Sequence, residues 1–331
     1  MRAAIFTRTG AAHDVLSVGE IDRVPPGPGE VQVRIATSGV NPTDWKERAA
    51  SAQSVRRRGP LEGIEFKVPN QDGAGTIEAV GERVDPARIG QRVWLYFAAY
   101  KRQYGTAAEF CTLPGEQTVA LPDEASFELG ASLGIPALTA HHCLTADGPV
   151  DGRIVLVTGG AGAVGHYAIE LARWAGAARV IATVSSDEKA ALARAAGAHD
   201  VINYLDEDVA ARVRELATGG VDRIVEVALH ENIGLAAAVA ARDAAIAAYA
   251  TTGEPTSLDL GLFMSRNVVL RAVLIYTIPR PARREAVDGV SRALADGALS
   301  ELPLHRFKLE QIADAHDAVE AGAIGKVLVD L

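Results

Sequence analysis

The chain has 331 residues, a net charge of −9, and 48% apolar against 23% charged side chains, which is long enough for two domains with a large core. The acidic balance leaves no cationic surplus to neutralise phosphates and so argues against non-specific nucleic-acid binding; no apolar run reaches bilayer-spanning length. The opening Met1-Arg2-Ala3-Ala4-Ile5-Phe6 reads as the start of a strand rather than a secretory signal. Cys111 and Cys143 are too few for a disulfide framework and read as small buried apolar residues rather than nucleophiles. A cytoplasmic enzyme fits these features.

Up to about Ala120 the chain is β-rich: Glu30 to Ala36 alternates polar and apolar residues, and glycine and proline recur at 25–29, 41–42, 73–75 and 86–90. After Pro122, alanine-rich helices alternate with apolar strands at 154–157, 179–184, 200–203, 222–228 and 244–249. This is the rhythm of an α/β fold with a doubly wound parallel sheet. Val268 to Tyr276 is a candidate sixth strand. A helix over 281–296 and the end Gly325-Lys326-Val327-Leu328-Val329 suggest a return to the first domain. The expected organisation is therefore 1–125, 126–278 and 279–331, with the outer two segments forming one domain.

The most informative stretch is Ile154-Val155-Leu156-Val157 followed by Thr158-Gly159-Gly160-Ala161-Gly162-Ala163-Val164-Gly165 and a helical pattern from His166 to Ala175. Gly160, Gly162 and Gly165 satisfy G-x-G-x-x-G between a strand and a helix. There the glycines permit a tight turn, close backbone approach to a pyrophosphate and close helix–strand packing. The next strand ends at Ser185-Ser186, with no carboxylate to hold a ribose 2′-hydroxyl; Asp187 and Glu188 read as the first turn of a helix capped by Ser186. Lys189, one turn on, is placed to meet a 2′-phosphate, which favours NADPH over NADH.

Several segments together resemble the zinc-independent quinone oxidoreductase (zeta-crystallin-like) branch of the medium-chain dehydrogenase/reductase superfamily. They are Gly39-Val40-Asn41-Pro42-Thr43-Asp44-Trp45-Lys46, Gln71-Asp72-Gly73-Ala74-Gly75, Gly81 to Val84, Gly105 to Phe110, Pro136 to Ala140, the glycine loop, Val201-Ile202-Asn203-Tyr204, and Ile324-Gly325-Lys326. The resemblance implies a GroES-like catalytic domain built from both chain ends, a Rossmann domain, an active site in the cleft, NADPH and a homodimer. It also implies that Ala161, Gly162, Ala163 and Val164 form the pyrophosphate loop, and that Ser185, Lys189 and Tyr204 form the 2′-phosphate pocket. Asn232, Tyr249, Ala250 and Thr251, and Leu274, Ile275 and Tyr276 would follow the fourth, fifth and sixth strands near the cofactor. Asn41 and Thr139 would face the nicotinamide, and Lys326 would lie close to the phosphates.

Zinc enzymes of this superfamily need a soft ligand set. Here the early cysteine position falls in Gly39-Val40-Asn41, the His-Glu position reads Gln71-Asp72, and no cysteine lies between Arg92 and Ala108. Adjacent His141 and His142 point about 100° apart on a helix and make a poor chelate. A metal-free enzyme is expected. Such a site suits a quinone or enone, which delocalises incoming charge onto a remote oxygen. Asn41 is then the candidate for orienting nicotinamide or substrate oxygen, because an amide donates without titrating. Asp44 would hold local geometry or pair with Lys46, and Tyr96 and Tyr276 are candidate hydroxyl donors that also suit packing. Reduction of an enoyl thioester or a pathway-specific enone is the rival reading, with Arg56-Arg57-Arg58 the candidate cationic patch. An NADPH-binding protein of structural or regulatory use is the rival outside enzymes. Glu226 reads as a buried strand-end carboxylate bonded to backbone amides, and 47–66 as an atypical lid or pocket wall.

Overall fold

The computed structural model describes residues 1–51 and 61–331, so Arg56-Arg57-Arg58 and the middle of the 47–66 segment lie outside the described residues. The chain divides into two units, Met1–Ile135 with Glu301–Leu331, and Pro136–Ser300. The second division falls at 300/301, not near 279, because the helix expected over 281–296 belongs to the second unit.

The first unit opens with β1 (Arg2–Ile5), α1 (Ala12–Val15), β2 (Ser17–Glu20), β3 (Glu30–Val40), α2 (Pro42–Arg48), β4 (Asp72–Val80), β5 (Arg92–Leu95), β6 (Phe110–Pro114) and β7 (Thr118–Ala120). Helix α3 (Phe127–Thr145) starts there and ends in the second unit. The second unit continues with β8 (Ile154–Val157), α4 (Ala163–Trp174), β9 (Arg179–Val184), α5 (Asp187–Ala195), β10 (Asp200–Asn203), α6 (Val209–Leu216), β11 (Val221–Glu226), α7 (Leu229–Val239), β12 (Ala240–Ala248), α8 (Leu260–Arg266), β13 (Val269–Ala272) and α9 (Arg280–Ala295). The chain then returns to the first unit with β14 (Leu304–Lys308), α10 (Ile312–Glu320) and β15 (Lys326–Asp330).

In the first unit the strands pair in the order β14-β15-β3-β4-β5-β7, and β6 also pairs with β3. The strand read at 30–36 extends to Val40, and its apolar members Val31, Val33 and Ile35 pack with Ile77, Val93, Leu95, Cys111 and Leu113. Antiparallel pairing of β15 with β3 sets Val327 opposite Val40, so the last strand of the chain runs beside the entry to α2.

In the second unit β10-β9-β8-β11-β12-β13 form a sheet whose pairs are all parallel. Its order reverses between β8 and β11, which puts a topological switch point beside the glycine loop. Leu156, Ile181, Ile202, Ile224 and Ile246 make one face of the core with Val213, Ala236 and Phe263. The candidate sixth strand ends early: β13 stops at Ala272, and Ile275–Thr277 is a 3₁₀ turn closed by Thr277 N–H on the Leu274 carbonyl at 2.8 Å. In β12, Asp243 takes φ 61° and accepts a hydrogen bond from Asn267 at 2.6 Å.

Candidate active site

Apart from Thr139 on α3, the candidate cofactor residues of the second unit follow the carboxyl ends of its parallel strands, where α/β sheets bind ligands. Gly162 is the N-cap of α4 and brings no side chain to its open amides. A Cβ on Gly165 would sit 2.3 Å from the Gly159 carbonyl oxygen, so only glycine lets the helix start this close to the strand. Gly160, Ala161, Ala163 and Val164 complete the turn, which leaves a cradle of backbone N–H groups at a positive helix end.

After β9, Ser186 caps α5 by accepting from the Lys189 N–H at 3.3 Å, and the Lys189 ammonium donates to Ser185 Oγ at 2.8 Å. Tyr204 follows β10 with its side chain half-exposed. After β11, the fully buried Glu226 accepts from the Ala228 N–H at 2.5 Å and from Asn232 Nδ2 at 3.0 Å, so it fixes the start of α7. The expected backbone contact is present, joined by one to a side chain. Tyr249, Ala250 and Thr251 follow β12 directly, and burial raises the Tyr249 phenol well above its usual range. Leu274, Ile275 and Tyr276 lie in the turn after β13, with Ile275 and Tyr276 buried, and Thr139 is buried on α3.

In the first unit, residues distant in sequence meet at the start of α2. The Asn41 backbone N–H donates to Asp44 Oδ2 at 2.7 Å. Its side-chain Nδ2 donates to Asp72 Oδ2 at 2.7 Å, and its Oδ1 accepts from Lys326 Nζ at 2.7 Å. Asp72 Oδ2 also accepts from the Ile135 N–H at 2.8 Å. All four side chains are buried. Burial pushes the Asp44 carboxyl up to about 7 and that of Asp72 up to about 6, and it lowers the Lys326 ammonium. Lys326, expected beside the phosphates, directs its ammonium to Asn41. Asp44 bonds Asn41 rather than Lys46, whose ammonium lies 5.7 Å from the Trp45 ring. The Tyr96 hydroxyl donates to the Glu116 carbonyl at 2.8 Å, which favours the packing role over proton donation.

Burial pushes the Cys111 and Cys143 thiols up to about 12, far from nucleophilic. Among the described residues no group of three or more His, Cys, Asp or Glu side chains is arranged to hold a metal ion, and no helix is long and apolar enough to cross a membrane. At the early ligand position the Lys326 ammonium sits against Asn41, and a cation placed there would be repelled. These residues do not fit zinc.

Residues 27–123 match the alcohol dehydrogenase GroES-like domain family, and residues 163–292 match the family described as zinc-binding dehydrogenase. The chain is 30% identical to a quinone oxidoreductase of Pseudomonas aeruginosa over 93% of both sequences. A mycobacterial structure complexed with NADPH is 31% identical and superimposes over the whole of both chains with a TM-score of 0.84. One component of the phenolphthiocerol/phthiocerol polyketide synthase of Mycobacterium tuberculosis is 27% identical over 96% of this chain, which spans 14% of that much longer protein. The chain belongs to the quinone oxidoreductase branch of the medium-chain dehydrogenase/reductase superfamily, and it is an oxidoreductase.

Asp72, whose carboxylate holds Asn41, is not among the site residues that the sequence points to. In the sequence it reads as part of a family segment and as a failed metal-ligand position, and nothing local announces that its carboxylate holds Asn41.

Proposed function

We propose that the chain is an NADPH-dependent, zinc-independent reductase of quinones or other conjugated carbonyls. The observation that carries the cofactor choice is the Lys189 ammonium on Ser185 Oγ at the end of β9, where an NAD site would place a carboxylate. The glycine turn and the open first turn of α4 would hold the pyrophosphate, with Ser185, Lys189 and Tyr204 on the 2′-phosphate. Asn232, Thr139 and the segments 249–251 and 274–276 would line the remainder. When bound, NADPH supplies a hydride from nicotinamide C4, which with one proton from solvent converts a quinone to a hydroquinone.

Asn41 keeps one Nδ2 hydrogen beyond the bond to Asp72, and we assign that donor to the nicotinamide carboxamide or the acceptor oxygen. Asp44 holds the Asn41 backbone. The misfit of Asn41, Asp72 and Lys326 to zinc supports a metal-free reaction, and the quinone oxidoreductase relative supports the acceptor class.

The match to a polyketide synthase segment favours a second reading, reduction of an enoyl thioester. A homodimer is supported by β13, which pairs on one side only. Exposed Val269 and Leu270 on it, with Leu260 and Met264 on α8, leave an unprotected apolar edge that suits a second copy. Two free, buried cysteines agree with a cytoplasmic setting. Steady-state oxidation of NADPH and NADH against quinones, enones and an enoyl thioester tests the assignment. Turnover of the thioester alone would select the second reading.

A further inference from the structure

The side-chain amide of Asn41 is nearly symmetric in shape, and turning it over exchanges a donor for an acceptor. Its two neighbours differ in what they accept. An ammonium has donors and no acceptor, whereas an ionised carboxylate only accepts. With Lys326 Nζ 2.7 Å from Oδ1 and Asp72 Oδ2 2.7 Å from Nδ2, one orientation satisfies both charges. The reverse would set N–H against ammonium and oxygen against carboxylate.

The clamp is itself fixed. Asp72 cannot rotate freely, because Oδ2 also accepts from the Ile135 N–H, while Thr106 Oγ1 donates to the Asp72 carbonyl at 2.6 Å. Space for it is made by two glycines. A Cβ on Gly134 would lie 2.1 Å from Asp72 Oδ1. One on Gly39 would lie 3.1 Å from Lys326 Cε and 2.2 Å from the Ala131 carbonyl oxygen. Burying such charges is a poor way to gain stability, since apolar packing of similar volume serves as well or better. What they supply is an orientation.

We infer that Asp72 and Lys326 are positioning residues for hydride transfer, which act by locking the amide of Asn41 from its two ends; the inference rests on the proposed role of Asn41. Neither residue is assigned a contact with cofactor or substrate. Their loss should therefore slow the chemical step and leave cofactor binding intact.

The test is a mutant cycle on the NADPH-loaded enzyme with a quinone acceptor, using Asn41→Ala, Lys326→Met, Asp72→Asn and the two double variants that contain Asn41→Ala. Lys326→Met and Asp72→Asn should each lower kcat roughly ten- to a hundredfold while the NADPH Kd stays within about twofold. In the Asn41→Ala background neither should slow the enzyme further. Losses that multiply in that background, or an unchanged kcat in the single variants while Asn41→Ala is slow, would overturn the clamp and spare the role of Asn41. An unchanged Asn41→Ala enzyme would overturn both. Should Lys326→Met fail to fold, NMR of the native protein decides. An Asn41 Nδ2 proton shifted downfield by the Asp72 carboxylate and protected from exchange with solvent supports the clamp, and ordinary shifts with rapid solvent exchange overturn it.

Discussion

Replacing Lys189 with alanine isolates the cofactor preference. Its ammonium is positioned by α5, whose cap ties the Lys189 N–H to Ser186 Oγ, and by the bond to Ser185 Oγ at 2.8 Å. A charge-assisted bond to a 2′-phosphate contributes about 1.5–3 kcal/mol. The lysine is only partly buried, so solvent screening argues for the lower end, about 1.5 kcal/mol. That is roughly a tenfold fall in kcat/KM for NADPH, since about 1.4 kcal/mol corresponds to tenfold. NADH has no 2′-phosphate, and its kcat/KM should change little. The assay is the ratio of kcat/KM for the two cofactors with one quinone, in native and Lys189→Ala enzymes, at low and high salt. The ratio should fall about tenfold at low salt and less at high salt. An unchanged ratio, or equal losses with both cofactors, would refute the 2′-phosphate pocket.

Gly134→Ala should destabilise the protein by about 3–5 kcal/mol, combining overpacking with displacement of the Asp72 carboxylate from its partners. A urea midpoint followed by the fluorescence of buried Trp94 reports it, and a midpoint close to native would contradict the close approach. His316 is buried and donates through Nε2 to Asn70 Oδ1 at 3.0 Å, and burial lowers it from 6.5 to about 3. Because the unfolded chain takes up this proton first, the neutral form contributes stability above pH 6.5. That stability drains by up to about 1.4 kcal/mol per pH unit as pH falls toward 3. His316→Gln should flatten this limb of the melting curve against pH, whereas an unchanged slope would assign acid sensitivity elsewhere. Leu270→Lys, on the exposed edge of β13, should shift the mass seen by sedimentation from two chains to one. A native protein that is already monomeric would contradict the proposed pairing.

The parts of the fold legible in sequence are those whose physics is local. The glycine turn after Val157 joins strand and helix within one continuous stretch, Ile154 to Trp174, and Ser186 announces its helix by capping chemistry. Val268 to Tyr276 misleads because apolar composition does not distinguish a strand from a buried 3₁₀ turn; pairing with β12 ends at Ala272. The helix over 280–295 is legible from its amphipathic pattern, but that pattern cannot say which unit its buried Ala286, Val290 and Ala293 join. Asn41 stands out in the sequence as a polar candidate, yet its surroundings do not. Asp72 lies 31 residues away and Lys326 lies 285 away, and only the pairing of β3 with β4 and β15 brings them together.

The most direct test of the proposed chemistry is oxidation of NADPH by a simple quinone, using protein purified without added metal and assayed with and without a strong chelator. Rapid oxidation of NADPH, slower oxidation of NADH and no effect of the chelator are the predicted results. Activity that vanishes with chelator and returns with zinc, or a preference for NADH, would contradict the reading of Asn41, Asp72 and Lys326 or that of Ser185 and Lys189.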